Sequence, residues 1–176
     1  TFYYGYTKKQ WGMEPSELPA FIAKRIPIRI DNNTDYFDDT YQGIPKYGYT
    51  PLIEKMLSGI EVRLNTDYLD NLEYFNSISD KIVFTGQIDS FFNYRFGELD
   101  YRSLRFEEEV RSVKQFQVRA IVNYAELCVP YTRIVEHKHF NDRGTDFTII
   151  TKEYSEINKD KYYPINNKRN NDIYSK

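Results

Sequence analysis

An aromatic segment at the start of the chain has the residue types that suit a flat, hydrogen-bonding ligand. Residues 5–12 read GYTKKQWG, include the only tryptophan, Trp11, and follow Phe2 and Tyr3 closely. Such rings can stack on a nucleobase while a hydroxyl such as that of Thr7 reads its edge. The glycines at both ends would let the backbone bend or approach a ligand. The alternative is that these rings fill a core or a helix contact, as aromatic side chains often do.

Two arginines flank a proline in residues 25–30, which read RIPIRI. Pro27 restricts this segment to an edge strand or an extended loop. Alternation along an extended chain would turn Arg25 and Arg29 to the same side. Two guanidinium groups on one face could bind a diphosphate, and a solvated strand face is the other interpretation. The residue types therefore favour a site for an anionic, hydroxyl-rich ligand.

Other catalytic and cofactor motifs are missing from the sequence. No two of the eight glycines are spaced G-x-G, so neither the dinucleotide fingerprint nor a Walker loop is present. His137 and His139 would share one strand face without a neighbouring cysteine, which makes a poor metal site. The three glutamates at 107–109 are typical of a solvated rim rather than of a catalytic acid–base pair. Cys128 has no base partner and is expected to be a small core residue, so no catalytic nucleophile is indicated.

Length, charge and cysteine count limit the class of protein. The 176 residues allow one domain or two small lobes. The net charge of −2 argues against a nucleic-acid protein, and no apolar run approaches the roughly 20 residues that span a bilayer. A lone cysteine and the lack of a signal peptide favour a reducing, cytoplasmic location. The chain starts at Thr1 within a dense aromatic segment, and we expect it to be a piece of a longer protein.

Helical patterns come first along the chain, and strand patterns follow. A short helix is predicted from about Pro15, and another between a Thr50 cap and Gly59. Its apolar stripe at 52, 53, 56 and 57 is expected to lie in the core. Strand patterns occupy 61–65, 81–85, 101–106, 116–124, 132–140 and 147–154, with a helix from 88 to about 94. Short polar connections between strands indicate an antiparallel sheet. The Asn-rich end beyond Pro164 is expected to be disordered.

Ten short motifs, read in order, resemble the UDP-galactopyranose mutase family. They are GYTKKQWG at 5–12, RIPIR at 25–29, YF at 36–37, YQGIP at 41–45, GY at 48–49, FTGQID at 84–89, YRSL at 101–104, VPYTR at 129–133, HKHF at 137–140 and YYP at 162–164. One such motif alone would carry little weight. Ten of them in the family's order make a specific resemblance that runs from end to end.

The resemblance implies a flavoenzyme that interconverts UDP-galactopyranose and UDP-galactofuranose. In this family reduced FAD is the nucleophile: it attacks the anomeric carbon through N5 and expels UDP. The resemblance implies that uridine lies against Phe2, Tyr3, Thr7, Trp11 and Tyr36. It places Arg25, Asn123, Arg133 and either Tyr162 or Tyr163, with Tyr163 favoured, around the diphosphate and sugar. Arg25 would belong to a mobile loop that closes over substrate, and Arg102 would line the cleft.

The resemblance also has departures. The family's N-terminal GxGxxG, its flavin-side histidine motif and its C-terminal segment are absent from this sequence. We therefore expect the substrate-binding middle of the enzyme, with the flavin-binding ends missing. FAD would be the cofactor of the full-length enzyme, while these residues alone would bind none and show no mutase activity. Cofactor-binding residues in this chain remain unassigned, and no metal is expected.

The resemblance implies an α+β fold with short helices from a truncated helical lobe and an antiparallel sheet of about six strands. We predict a mainly helical and loop part at 1–59, a mainly sheet part at 60–157 with a short helix, and a polar tail at 158–176. Apolar surface that would face the missing parts favours self-association into a homo-oligomer. A non-catalytic nucleotide-sugar-binding module and a purely structural fragment are the alternatives.

Overall fold

The computed structural model describes residues 2–20, 22, 30–32, 37–141, 144–157 and 160–176. The chain divides into two compact units: unit 1 is Thr1–Tyr36 with Leu99–Lys176, and unit 2 is Phe37–Glu98. The division predicted at residues 59 and 157 stays a prediction. Residues 25–29 of the RIPIRI segment, which include Arg25, lie outside the described residues, and so does Tyr36.

Unit 1 is built on an antiparallel sheet. Its strands are β1 (Tyr101–Arg111), β2 (Ile121–Asn123), β3 (Arg133–Glu136), β4 (Thr148–Glu156) and β5 (Tyr163–Pro164). Their order in the sheet is β2-β3-β4-β1-β5. The α+β class and the antiparallel sheet are confirmed, and the described residues form five strands where about six were expected.

The helix α1 (Phe2–Trp11) contains the aromatic segment of unit 1. Gly5 therefore lies inside a helix, so it does not bend the chain as the sequence suggested. A 3-10 helix (Pro15–Glu17) follows where a helix was predicted from Pro15, and another (His137–His139) follows β3. The two histidines accordingly do not share a strand face.

The Asn-rich end forms a helix, α5 (Lys168–Tyr174), so the expectation of disorder there was wrong. The side chain of Asn167 caps it by accepting a hydrogen bond from the backbone N–H of Asn170. Asn170 is buried, and its amide donates to the carbonyls of Asp100 (2.8 Å) and Ile165 (2.7 Å). Hydrogen bonds between amide side chains and backbone groups thus fix this segment. A prediction from composition misses such bonds, because it considers only how much apolar surface the segment can bury.

The core of unit 1 lies on one face of the sheet. Glu136 pairs with Ile150 across β3 and β4, and Ile134 occupies the same face two residues earlier. All three side chains are buried. The carboxylate of Glu136 accepts hydrogen bonds from the backbone N–H groups of Phe116 (2.9 Å) and Gln117 (2.8 Å). These bonds hold the connection before β2 in a loop, which is why the strand predicted at 116–124 begins only at Ile121.

Unit 2 consists of short helices. They are α2 (Tyr49–Met56), a 3-10 helix (Leu69–Asn71), α3 (Leu72–Ile78) and α4 (Ile88–Phe91). The predicted core stripe on α2 is wrong, because Leu52, Ile53 and Met56 are 41%, 47% and 67% exposed. The segments 61–65 and 81–85 are not strands, since they pair with no strand among the described residues. Left-handed φ angles at Asn93 and Tyr94 accompany the early end of α4.

Candidate functional site

Helix α1 is fixed tightly to the connection between β2 and β3. A Cβ added at Gly5 would lie 1.9 Å from the carbonyl oxygen of Ala125, so only glycine allows this approach. The ammonium of Lys9 donates to the carbonyls of Glu126 (3.1 Å), Val129 (3.1 Å) and Tyr131 (2.8 Å). Burial lowers the pKa of Lys9, against the raising effect of nearby acidic groups. These contacts therefore fix the distance between α1 and the sheet.

Arg102 on β1 holds the C-terminal end of the same helix. Its guanidinium donates to the carbonyls of Gln10 (3.2 Å) and Lys9 (3.3 Å) and to Oγ of Ser155 (2.8 Å). A cation at this end of a helix complements the helix dipole. Gly12 has a φ of 69°, and a Cβ there would lie 2.8 Å from Nη1 of Arg102. Burial lowers the pKa of Arg102, with an opposing contribution from Tyr163. Its predicted contact with a ligand stays a prediction.

The strand register brings several predicted site residues to one face of the sheet. Direct partners in antiparallel strands point to the same side. Arg102 is opposite Tyr163, Asn123 is opposite Arg133, and Arg133 is opposite Glu153. The pairing of β1 with β4 connects these two groups. We call this side the site face, and it comprises Arg102, Asn123, Arg133, Glu153 and Tyr163.

Arg133 lies between the helix and the sheet. Its Nη2 donates to the hydroxyl of Tyr6 at 2.6 Å, and its Nε lies 3.2 Å from Oε1 of Glu153. This second contact is an ion pair whose angle does not make a hydrogen bond, and the buried Nε has no other partner among the described residues. Because 30% of the side chain is exposed, the charge remains accessible to an anion. Tyr6 and Glu153 therefore orient the guanidinium group of Arg133 before a ligand binds.

Tyr6 is a site residue that sequence reasoning missed. Burial raises its pKa, the charges of Glu153 and Tyr163 raise it further, and Arg133 lowers it. The phenol is therefore neutral at pH 7 and keeps its proton. Since its oxygen accepts from Arg133, its O–H group is the donor left for a ligand. A 3.6-residue period over 2–11 would have put Tyr6 and Gln10 on the same helix face.

Tyr163 contacts the tryptophan at the end of α1. The ring centroids of Trp11 and Tyr163 are 5.7 Å apart at an interplanar angle of 76°. The side-chain amide of Gln10 donates to the hydroxyl of Tyr163 at 2.5 Å. Tyr162 instead has 53% of its surface exposed, and its ring lies near Phe106. Of the two candidates at this position, Tyr163 is therefore the one that contacts the aromatic end of the helix.

The other predicted binding residues are less tightly tied to this cluster. Tyr3 and Thr7 lie on α1, the first exposed and the second half-buried. Phe2 begins the helix, and its side chain lies outside the described residues. Asn123 is exposed on β2, at the edge of the sheet. The structure thus brings together Trp11, Arg102, Arg133 and Tyr163, and α1 links them.

The groups that the sequence analysis set aside have other roles. Nε2 of His137 hydrogen-bonds Oγ1 of Thr151, and that of His139 contacts the carboxylate of Glu136. No group of metal-binding side chains occurs in the part of the chain that the structure describes. Cys128 is exposed, so the expectation that it is a core residue was wrong.

The comparisons with known proteins agree with the sequence motifs. A family model described as UDP-galactopyranose mutase matches residues 1–176. The chain belongs to this family. A probable UDP-galactopyranose mutase of Klebsiella pneumoniae is 41% identical in an alignment of 172 residues that covers 93% of this chain and 43% of that protein. A UDP-galactopyranose mutase of Mycoplasma genitalium is 35% identical over 99% of this chain and 48% of its own length.

One relative has a different nucleotide sugar in its name. The dTDP-fucopyranose mutase of Escherichia coli is 37% identical over the whole of this chain and 49% of its own length. The chain spans about half the length of the curated relatives it matches. None of the described helices is long and apolar enough to cross a membrane.

Proposed function

We propose that this chain is the substrate-binding region of a UDP-galactopyranose mutase, which interconverts UDP-galactopyranose and UDP-galactofuranose. The observation that carries the proposal is the set of contacts between α1 and the site face, where Arg133 bonds Tyr6 and Tyr163 contacts Trp11. A nucleoside diphosphate needs aromatic surface for its base and hydrogen-bond donors for its phosphates. Family membership supports the same ligand class.

Each group in this cluster would have a defined part in binding. Trp11, with Phe2, Tyr3, Thr7 and Tyr36, would form the platform for the uracil and ribose. Arg133 would donate to a diphosphate oxygen, because Tyr6 and Glu153 already fix its orientation. The hydroxyls of Tyr6 and Tyr163 would add neutral donors. Arg25 would complete the charge balance of the diphosphate, and Asn123 would reach the sugar.

FAD is the cofactor we propose for the full-length enzyme, and we expect its pyrophosphate to bind outside the described residues. Unit 2 has an open cleft of about 1060 Å³, and its described lining includes one glycine, Gly86. A Cβ on Gly86 would lie 2.5 Å from the ring of Phe84, so this backbone faces an aromatic side chain. A dinucleotide loop needs several glycine amides around the phosphates. We therefore assign to this chain the binding and orientation of substrate, and we expect it to be inactive alone.

The test is conversion of UDP-galactofuranose to UDP-galactopyranose by the full-length protein under reducing conditions, followed by chromatography. Arg133→Ala removes a charged hydrogen-bond partner worth about 1.5–3 kcal/mol, so we expect kcat/KM to fall at least tenfold. Arg105→Ala is the matched control, because Arg105 lies on the opposite face and pairs with Glu107. That variant should keep the parent's activity.

The outcomes separate the candidate functions. Conversion of dTDP-fucose in preference to UDP-galactose would assign the chain to the activity named for the Escherichia coli relative. Tight UDP binding without any conversion would favour a non-catalytic binding module. Equal activity of the two arginine variants would contradict the role proposed for Arg133. A cytoplasmic location and a homo-oligomer remain part of the proposal, to be tested by fractionation and light scattering.

A further inference from the structure

Gln10 is a junction between helix α1, the sheet and Tyr163. Its backbone carbonyl accepts from Nε of Arg102 (3.2 Å) and Oγ of Ser155 (2.7 Å). Its side-chain Nε2 donates to the hydroxyl of Tyr163. Its Oε1 is buried and has no hydrogen-bond partner in the described part of the chain. The motifs, the family resemblance and the site prediction assigned no role to this side chain.

The hydrogen bond to Tyr163 fixes the direction of a proton. A phenol oxygen carries one proton and can accept through its lone pairs. Because Gln10 supplies an N–H to this oxygen, the proton of Tyr163 is directed elsewhere, towards whatever acceptor occupies the site. The contact with Trp11 limits rotation of the tyrosine ring. Tyr163 therefore presents its hydroxyl as a donor, which is the role an anionic ligand requires.

The unpartnered oxygen of Gln10 argues against a purely structural role. A buried acceptor without a donor is destabilising, and an apolar side chain of similar size would avoid that cost. Among the described residues, the side chain forms a hydrogen bond to Tyr163 in return. We propose that Gln10 is a positioning residue that orients the Tyr163 hydroxyl so that it donates to the diphosphate of the bound nucleotide. This inference rests on the proposed function.

The test reverses the polarity of that bond with Gln10→Glu in the full-length protein. A carboxylate has nearly the same shape but no N–H, so the Tyr163 hydroxyl must donate to it and is lost to the ligand. We expect calorimetry at pH 7.5 to show UDP affinity reduced by at least tenfold and uridine affinity unchanged. Lowering the pH should restore UDP affinity relative to the parent at the same pH, because a protonated carboxyl group can donate again.

Two further variants make the result decisive. Gln115→Glu adds the same charge in an exposed loop and should leave both affinities unchanged. Gln10→Met keeps the volume but removes the donor, so it should weaken UDP binding at every pH and spare uridine. It also carries the test should Gln10→Glu fail to fold. Equal loss of UDP and uridine binding in the Gln10 variants, or no loss, would overturn the inference. A parent protein that binds no UDP would instead refute the proposed function and this inference with it.

Discussion

Replacing Gly5 by alanine tests how the site is assembled. The added Cβ would lie 1.9 Å from the carbonyl oxygen of Ala125, whereas ordinary contacts begin at 3.4 Å. The obstacle is backbone, so α1 must move away from the sheet connection by about 1.5 Å. A shift of that size would stretch the 2.6 Å bond between Tyr6 and Arg133 beyond hydrogen-bond range. The substitution therefore affects both packing and the site.

The expected cost follows from the overlap. Overpacking at a close contact destabilises by about 1–3 kcal/mol, and the rigid carbonyl favours the upper part of that range. With a urea dependence of about 2 kcal/mol per molar, a loss of 2 kcal/mol lowers the unfolding midpoint by about 1 M. The fluorescence of Trp11 is a suitable probe of unfolding, because Trp11 is the only tryptophan in the sequence. It lies at the end of α1 and contacts Tyr163.

Gly43→Ala is the control for Gly5→Ala. No atom lies within 4 Å of a Cβ placed at Gly43, so we expect an unchanged midpoint or a gain of about 0.4–1 kcal/mol. UDP affinity should fall with Gly5→Ala and stay constant with Gly43→Ala. If Gly5→Ala unfolds at the same urea concentration as the parent, α1 does not dock against Ala125, and the geometry derived for the site is refuted.

Tyr6→Phe leaves Arg133 without its hydroxyl acceptor and should cost about 1.5–3 kcal/mol in urea unfolding, whereas a loss below 0.5 kcal/mol would contradict the contact. Lys9→Met leaves three carbonyls without their shared donor, so its urea midpoint should fall further than that of Lys114→Met, the control at an exposed site. Equal midpoints of the two variants would contradict a stabilising role for these hydrogen bonds. Burial alone would raise the pKa of Glu136, but hydrogen bonds from the backbone amides of Phe116 and Gln117 and from His139 lower it below the ordinary 4.5. Its stabilising contribution is therefore present above pH 4.5 and lost as the pH falls through the lowered pKa. Thermal unfolding between pH 3 and 7 should show that Glu136→Gln reduces this acid-dependent loss, and an unchanged pH profile would refute the assignment.

The sheet was the most predictable part of the fold. β1, β3 and β4 lie within or overlap segments whose alternation was read as strands. The same reasoning failed at 61–65 and 81–85, because alternation indicates one face to bury but does not supply a partner strand. Val62 and Leu64 are accordingly exposed in unit 2. A strand pattern predicts a strand only where the tertiary structure provides the ladder.

The candidate site was predictable in its residue types but not in its connections. The motifs pointed to Trp11, Arg133 and Tyr163, and the structure brings these side chains to α1 and the site face. Helix α1 was not predicted, because Gly5 suggested a bend in the chain. In the structure Gly5 instead allows close contact with the carbonyl of Ala125, which is distant in sequence. Gln10 was missed for the same reason, since its partners are about 90 to 150 residues away along the chain.

Titration of UDP into this chain by calorimetry, repeated with Trp11→Ala, tests the central claim most directly. Because the proposed uridine platform and diphosphate donors belong to unit 1, the parent chain should bind UDP weakly and Trp11→Ala should not bind it measurably. Tyr47→Ala, which removes an exposed ring from unit 2, should bind like the parent. Undetectable UDP binding by the parent, or equal binding by Trp11→Ala, would contradict the claim that α1 and the site face form a nucleotide-sugar site.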